Sequence, residues 1–323
     1  MKARSFPTVF ALLAALALPA HLPAQSYPVK PVRVIVPFAA GGGTDIQARV
    51  LFKELHEQFK QVFIVDNRPG ASGLIGAELV VNSPADGYTL LFTTATLAIN
   101  TTLYGNSMKF HPAKNLAPVV WVSSTPLVLI VHPSVPATSP KELIELARKK
   151  PGLFNAAINV PGSTSHLSAE MLKQLAGLKF TTVPYKGGGL SMVAVMGGEV
   201  DFQFAEGVLA SPQIRAAKIR ALAVTTPKPS EFFPGLPTMN SILPGFVSDN
   251  WFAMFLPART PKEVVATING AIRKALDSKS VRAFMAQELT TGIGSTPEEL
   301  DAHLKRETAR YGDVIRKGNI TLQ

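Results

Sequence analysis

The chain has 323 residues, 46% of them apolar and none of them cysteine, which allows one large or two ordinary cores and excludes disulfides, thiolate metal sites and cysteine nucleophiles. Its formal net charge is +10, falling by two to +8 without Lys2 and Arg4. The basic residues are scattered and not interleaved with aromatics, so no nucleic-acid face is expected; diffuse positive charge serves either solubility or the attraction of small anions.

The N-terminus, "MKARSFPTVFALLAALALPAHLPAQS", has two basic residues, a short apolar run and then small residues and prolines. That layout predicts a secretory signal peptide over residues 1–24, cleaved after Ala24, and a mature protein outside the cytoplasm. The apolar run is shorter than the roughly 20 residues that a spanning helix needs.

The mature chain alternates β-rich runs with amphipathic stretches, the pattern of α/β layers. Val32–Val36 predicts a strand. Ala48, Leu51, Phe52, Leu55 and Phe59 fall at helical spacing, and Thr44 with Gln47 fits a capping box at that helix's start. A strand over 62–65, a loop "NRPGASG", a helix over 74–82 and the strand "YTLLFT" follow. "VVWVSSTPLVLIVHP" (119–133) predicts two strands joined by a switch segment at Ser123-Ser124-Thr125-Pro126. Next come a helix from Pro140, the strand "FNAAIN", the loop "VPGSTS", a helix over 166–176 and the strand "FTTVPY". A short helix "LSMVAVMGG", the strands "VDFQFA" and "IRALAVTT", and a proline-rich connection lead to a second long apolar crossing, "DNWFAMFLPA". Helices over 261–276 and Pro297–Lys317 close the chain. Two long crossings predict two lobes, 25–125 plus 249–323 and an inserted 126–248, around a ligand cleft.

Three punctuation points carry chemistry. In "VPFAAGGGTD" a strand ends at glycines and a helix begins, a place to hold an anion on backbone amides. No lysine follows the glycines, so it is not a P-loop, and Ile46 stands where a dinucleotide fingerprint needs Gly or Ala. Asp66 lies at the distance of a ribose-binding acid, which keeps a nucleotide reading open. A smaller anion such as a carboxylate fits better, and the plain alternative is an ordinary strand-to-helix turn. The second point, Gly162-Ser163-Thr164-Ser165 before His166, also precedes a helix, so two loops could grip one ligand. The third is "VPYKGGG", where Tyr185 could wall the cleft or Lys186 pair with an acid. Asp201, in "GGEVDFQF", could bind an amino group or meet solvent at a strand end. Trp251 and Phe252 could cover the ligand or pack the hinge. Catalysis has little foothold: "LHEQFK" has Lys60 where a zinc-protease motif needs its second His, and "GASGL" around Ser72 lacks the last Gly of a nucleophile elbow. The rival reading is a secreted serine hydrolase using Ser163 or Ser165 with His166.

The segments "YPVKPVRVIVPFAAGGGTD", "DNRPGASGLIG", "PADGYTLL", "GSTSHLSAE", "VPYKGG", "GGEVD" and "LPT" follow one another in the order and spacing of a known family. The chain resembles the tripartite tricarboxylate transporter substrate-binding proteins, also called Bug receptors, over nearly all of its mature length. The resemblance implies a periplasmic, monomeric, non-enzymatic receptor of the type II periplasmic binding protein fold, two α/β lobes around a cleft that takes a small carboxylate or related solute. It implies no cofactor and no metal. By motif position the ligand-binding residues would be Phe38, Gly42, Gly43, Thr44 and Asp45 in the first loop, Ser163, Thr164, Ser165 and His166 in the second, and Tyr185 and Asp201. Delivery to a membrane permease of one large and one small subunit, or a sensor role, would follow. Leu190, Ala194 and Ser241-Ile242-Leu243 depart from the family's usual Pro, Asp and Glu-Ala-Gly, which bears on ligand identity and hinge detail.

Overall fold

Strands buried on both faces read as unbroken apolar runs, and here they alternate with helices that supply the two covers. The computed structural model describes residues 27–321; the expected signal peptide and its cleavage lie outside the described residues. The strands are β1 (Val32–Val36), β2 (Phe63–Asn67), β3 (Thr89–Thr94), β4 (Leu116–Val131), β5 (Asn155–Ile158), β6 (Thr181–Pro184), β7 (Phe202–Glu206), β8 (Arg220–Val224), β9 (Asp249–Pro257) and β10 (Thr291–Gly292). The helices are α1 (Gly43–Phe59), α2 (Leu74–Val81), α3 (Thr96–Leu103), α4 (Pro112–Asn115), α5 (Pro140–Lys149) and α6 (Thr164–Ala176). They continue with α7 (Gly188–Met196), α8 (Gly207–Arg215), α9 (Met239–Ile242), α10 (Lys262–Leu276), α11 (Lys279–Gln287) and α12 (Pro297–Lys317).

The sheet order is β2-β1-β3-β9-β4-β7-β5-β6, with β8 and β10 also pairing with β4. β1 is parallel to β2 and β3, and β5 is parallel to β6 and β7, while β9 runs antiparallel to β3 and β4 antiparallel to both β9 and β7. On the β1 side, Val34 faces a core with Leu51 and Phe52 of α1 and Ile272 of α10, whereas Ile35 faces Ala77 of α2 and Leu97 of α3. On the β5 side, Ala156 faces Leu143 of α5 and Leu172 of α6, and Ala157 faces Val195 of α7 and Ala210 of α8. α12 belongs to both sides. Its Leu304 and Tyr311 join the core around α3, and its Val314 joins the core under α6, whose own Leu167 packs back with α3 and α12.

Several local expectations change. β4 is one sixteen-residue strand with irregularities between Pro118 and Val120 and between Trp121 and Ser123, not two strands joined by a switch. Its polar residues need no break because each finds a lateral partner. Ser123 Oγ accepts from Gln47 Nε2 at 2.5 Å, Thr125 Oγ1 meets Thr290 Oγ1 at 2.7 Å, and Ser124 donates to the Asp249 carboxylate. The Thr44–Gln47 capping box does not form: α1 starts at Gly43 with Gly42 as an uncapped N-cap, and Gln47 is committed to Ser123. α6 begins at Thr164, two residues before the expected start, because Ser163 caps it. α3, α8 and α11 were not anticipated; threonines crowd the first and Pro212 sits inside the second.

Where β4 and β9 cross from one side to the other, α12 lays charge on them. Glu307 pairs with Arg310 beside Asp249; burial pushes Glu307 up to about 7, against the pull of Arg310. His303 stacks on Trp121 with ring centres 3.8 Å apart and planes 13° from parallel. Burial, then Arg306 and Arg310, push its pKa down to about 3. The unfolded imidazole titrates near ~6.5. A depressed folded pKa gives stability that is present above about pH 6.5 and is lost as pH falls toward 3. His303→Gln should therefore cost more in urea melts at pH 8 than at pH 5, the gap closing by up to about 2 kcal/mol; a cost independent of pH would show that the imidazole's charge is not restrained.

Candidate functional site

Parallel strands on both sides of the sheet end at loops that start helices, and those loops hold the sequence-predicted residues. After β1, residues 39–43 are exposed and Gly41 takes φ +78°, a left-handed turn that suits glycine. A ring of hydrogen bonds sets the loop's shape. Gly41 N donates to Asp45 Oδ2 at 2.9 Å, Arg49 Nε donates to the same oxygen at 3.0 Å, and Arg49 also donates to Asn67 Oδ1 at 3.2 Å. Asn67 Nδ2 closes the ring on Phe38 O at 3.1 Å. The parallel register Val36↔Asn67 is what brings Asn67 alongside the loop. Burial raises the Asp45 carboxyl, but its bonds from Arg49, Gly41 and Asn67 outweigh that and hold it below the usual range. Asp45 is thus a buried buttress. Gly42, Gly43 and half-buried Thr44 carry the α1 N-terminus, whose first amides have no partner within the helix. Phe38 lies over Gly73, where an added Cβ would meet its ring at 3.4 Å.

Sequence reasoning missed two contributors nearby. Ala71 and Ser72 both take positive φ, 45° and 53°, a strained state that persists only when its surroundings enforce it. Asn100 Nδ2 provides that restraint, donating to Ser72 O at 2.9 Å. The "PGASG" run was the available signal, but only a structure shows which residues are left-handed.

On the β5 side, Gly162 takes φ +77°, and a Cβ there would come 2.7 Å from Leu103 Cδ2 at the end of α3. The two sides therefore touch at this loop. Ser163 Oγ accepts from His166 N at 3.2 Å, and Gly162 N donates to His166 Nδ1 at 3.0 Å. With Nδ1 accepting, the ring proton sits on Nε2, 3.8 Å from Glu170 Oε1. Burial pushes the His166 pKa down, although Glu170 pulls the other way. Thr164 is buried, and Ser165 Oγ is buried with no partner. The hydrolase geometry is not there: neither serine is hydrogen-bonded to the imidazole, whose Nδ1 is held by backbone. Asn159, another residue missed from sequence, holds the loop's root, accepting from Gln203 Nε2 at 2.9 Å and from Ser191 Oγ at 3.0 Å.

Of the two remaining expected site residues, Tyr185 has its backbone beside the end of β5, where its N donates to Ile158 O at 3.0 Å, whereas Asp201 lies at the opposite end of the strands. Tyr185 sends its hydroxyl to Glu199 Oε1 at 2.8 Å, and burial with that bond pushes it up to about 12. Asp201 accepts from Asn155 N at 2.7 Å, at the start of β5 and β7, about 16 Å of strand away from the Glu206 end. The half-buried acid takes a backbone donor there. Asp66, the candidate ribose acid, is held between Arg33 and Arg68, which overcome the effect of burial and keep its pKa low. Among the described residues no group of three or more His, Asp or Glu side chains could hold a metal.

Residues 47–320 match the model of the tripartite tricarboxylate transporter family receptor. The chain belongs to that family. The receptor is 35% identical to Protein BugT of Bordetella pertussis over 318 residues, 98% of this chain and 97% of that protein. It is also similar to a solved R. palustris protein, Rpa4515 with adipate, at 34% identity and TM-score 0.78, covering 91% of this chain and 99% of that one. Periplasmic binding protein BugD shares 31% identity and a TM-score of 0.75 over 92% of this chain and 100% of its own. The expected α/β periplasmic binding protein fold is therefore the receptor's fold, and a binding protein, not an enzyme, is its class.

The ring around Asp45 predicts a local loss. Asp45→Ala should lower stability by about 1–3 kcal/mol, the range for stranding buried hydrogen-bonding groups, and speed hydrogen exchange at the Gly41 amide. Native exchange at Gly41 in the variant would mean that the carboxylate does not shape the loop.

Proposed function

We propose that the protein is an extracytoplasmic receptor that closes two lobes, 25–125 plus 249–323 and 126–248, on a small organic carboxylate. The observation that carries this is the pair of helix N-termini, α1 and α6, offered from opposite sides of the sheet where Gly162 meets Leu103. Each supplies free amides and a positive dipole end, worth most where water is excluded. Gly42, Gly43 and Thr44 hold one end of the ligand, Ser163, Thr164 and Ser165 the other side, and Phe38 packs along it. Asp45 and His166 act by shaping the two loops. The adipate on the R. palustris relative supports a carboxylate as the class. Micromolar affinity corresponds to about −8 kcal/mol, which three or four charge-assisted hydrogen bonds at about 1.5–3 kcal/mol each can supply.

The same reading has a cleaved leader ending at Ala24, a periplasmic monomer, and delivery to the large and small permease subunits of a tripartite transporter. The leader's composition and the family both support it. A thermal-shift screen of the mature protein, refolded from denaturant to strip carried-over ligand, tests the central step. A hundredfold excess over Kd stabilises the folded state by about 2.7 kcal/mol, so the right carboxylate should raise Tm by several degrees. Ser163→Ala should shrink that shift. A panel of mono-, di- and tricarboxylates that leaves Tm unmoved would sink the carboxylate reading.

Gly162→Ala adds an independent check. The strained φ and the 2.7 Å approach to Leu103 should weaken binding by about tenfold, as read by calorimetry. Wild-type affinity in the variant would mean that the Gly162–Leu103 contact is no part of the bound state.

A further inference from the structure

The β7–α8 junction presents an acid that the fold does not use. Glu206 is the last residue of β7 and the N-cap of α8, on the same strand-end edge as the Gly162 loop. Its side chain makes no capping bond. Ala205 and Gly207 on either side are buried, whereas Glu206 keeps solvent contact. Its carboxyl is nevertheless surrounded by protein, and burial, then the charge of Glu288, push its pKa up. Glu288 follows α11, on the β1 side, so the nearest charge offered to Glu206 from across the sheet is another acid. The cross-strand partner of Glu206, Leu127, belongs to the core under α6, so Glu206 leaves β7 on the α6 face.

Basic side chains near the loops are committed elsewhere. Arg49 serves Asp45 and Asn67, Arg68 serves Asp66, and Lys173 serves Glu170. Lys186 is exposed on the β6–α7 loop and is the exception. A ligand gripped by one carboxylate at the α1 and α6 amides would carry its other end toward negative charge. A second carboxylate there would meet like charge in a poorly solvated gap. An ammonium or amide would instead donate to the Glu206 carboxylate, which makes no capping bond.

We infer that Glu206 selects the far end of the cargo, favouring a carboxylate whose other end is a hydrogen-bond donor, an ammonium or an amide, over a dicarboxylate. This rests on the carboxylate reading of the cleft and narrows it. It also sets the receptor apart from the relative solved with adipate, whose ligand carries two carboxylates.

Three probes of similar length test it: 4-aminobutyrate, succinamate and succinate, titrated by calorimetry into refolded protein. Wild type should bind 4-aminobutyrate or succinamate at least tenfold more tightly than succinate. Glu206→Gln should cut that preference at least tenfold, chiefly by tightening succinate, and Glu206→Asp should keep it. Lys186→Gln should leave the preference in place. Succinate binding as tightly as the other two in wild type, or an unchanged preference in Glu206→Gln, would overturn the inference. So would no binding by any of the three while another carboxylate shifts Tm in the broad screen; that result leaves the carboxylate reading standing. If no carboxylate of any kind binds, both fall together.

Discussion

Everything in the molecule hangs on β4 staying continuous. A sixteen-residue strand that carries Ser123, Ser124, Thr125 and Pro126 through the middle of a protein has many polar groups to satisfy. Burying a hydroxyl without a partner costs free energy, so the crossing exists only because other elements deliver partners. Gln47 comes from α1, Asp249 from β9 and Thr290 from the turn before β10. Each of those elements is thereby tied to one point on one strand. The loops that meet at Gly162 and Leu103 are placed by this shared reference.

The same three contacts mark the limit of what sequence reading could reach. Val32–Val36 and the amphipathic face of α1 were legible because period and propensity agree with the fold there. The polar run in β4 was misread as a break because its partners lie 76, 125 and 165 residues away. Local pattern carries no trace of a partner at that range. The capping box at Thr44 failed for the same reason: Gln47 has a better long-range use. α8 was hidden by Pro212, which reads as a breaker in isolation.

The site shows the same division. Glycine loops at helix starts are a local device, so the stretches 38–45 and 163–166 could be found from spacing alone. What the individual side chains do could not. Asp45 and His166 each turn inward to brace a loop, and Ser163 spends an acceptor lone pair on the His166 amide that it caps. Tyr185, at the start of the β6–α7 loop, commits its hydroxyl to Glu199, and Asp201 accepts from Asn155 N at the opposite end of the strands. Motif position pointed to these loops, but several of their side chains are already committed to hydrogen bonds within the protein.

That inward bracing explains why a site with serines, a histidine and acids is a receptor. Catalysis needs groups free to exchange protons with substrate, at a pKa near the working pH. His166 has Nδ1 fixed by the Gly162 amide and a pKa pushed down by burial, and Ser163 spends its oxygen on capping α6. The first main-chain N–H groups of α1 and α6 have no partner within their helices, and an N–H can hold an anion but cannot take its proton. α12 then limits how the two sides move. It packs into the core on both sides, with Val314 on one and Tyr311 on the other, and it clamps Trp121 through His303 where β4 crosses. Separation of the sides along their whole length would open both cores at once.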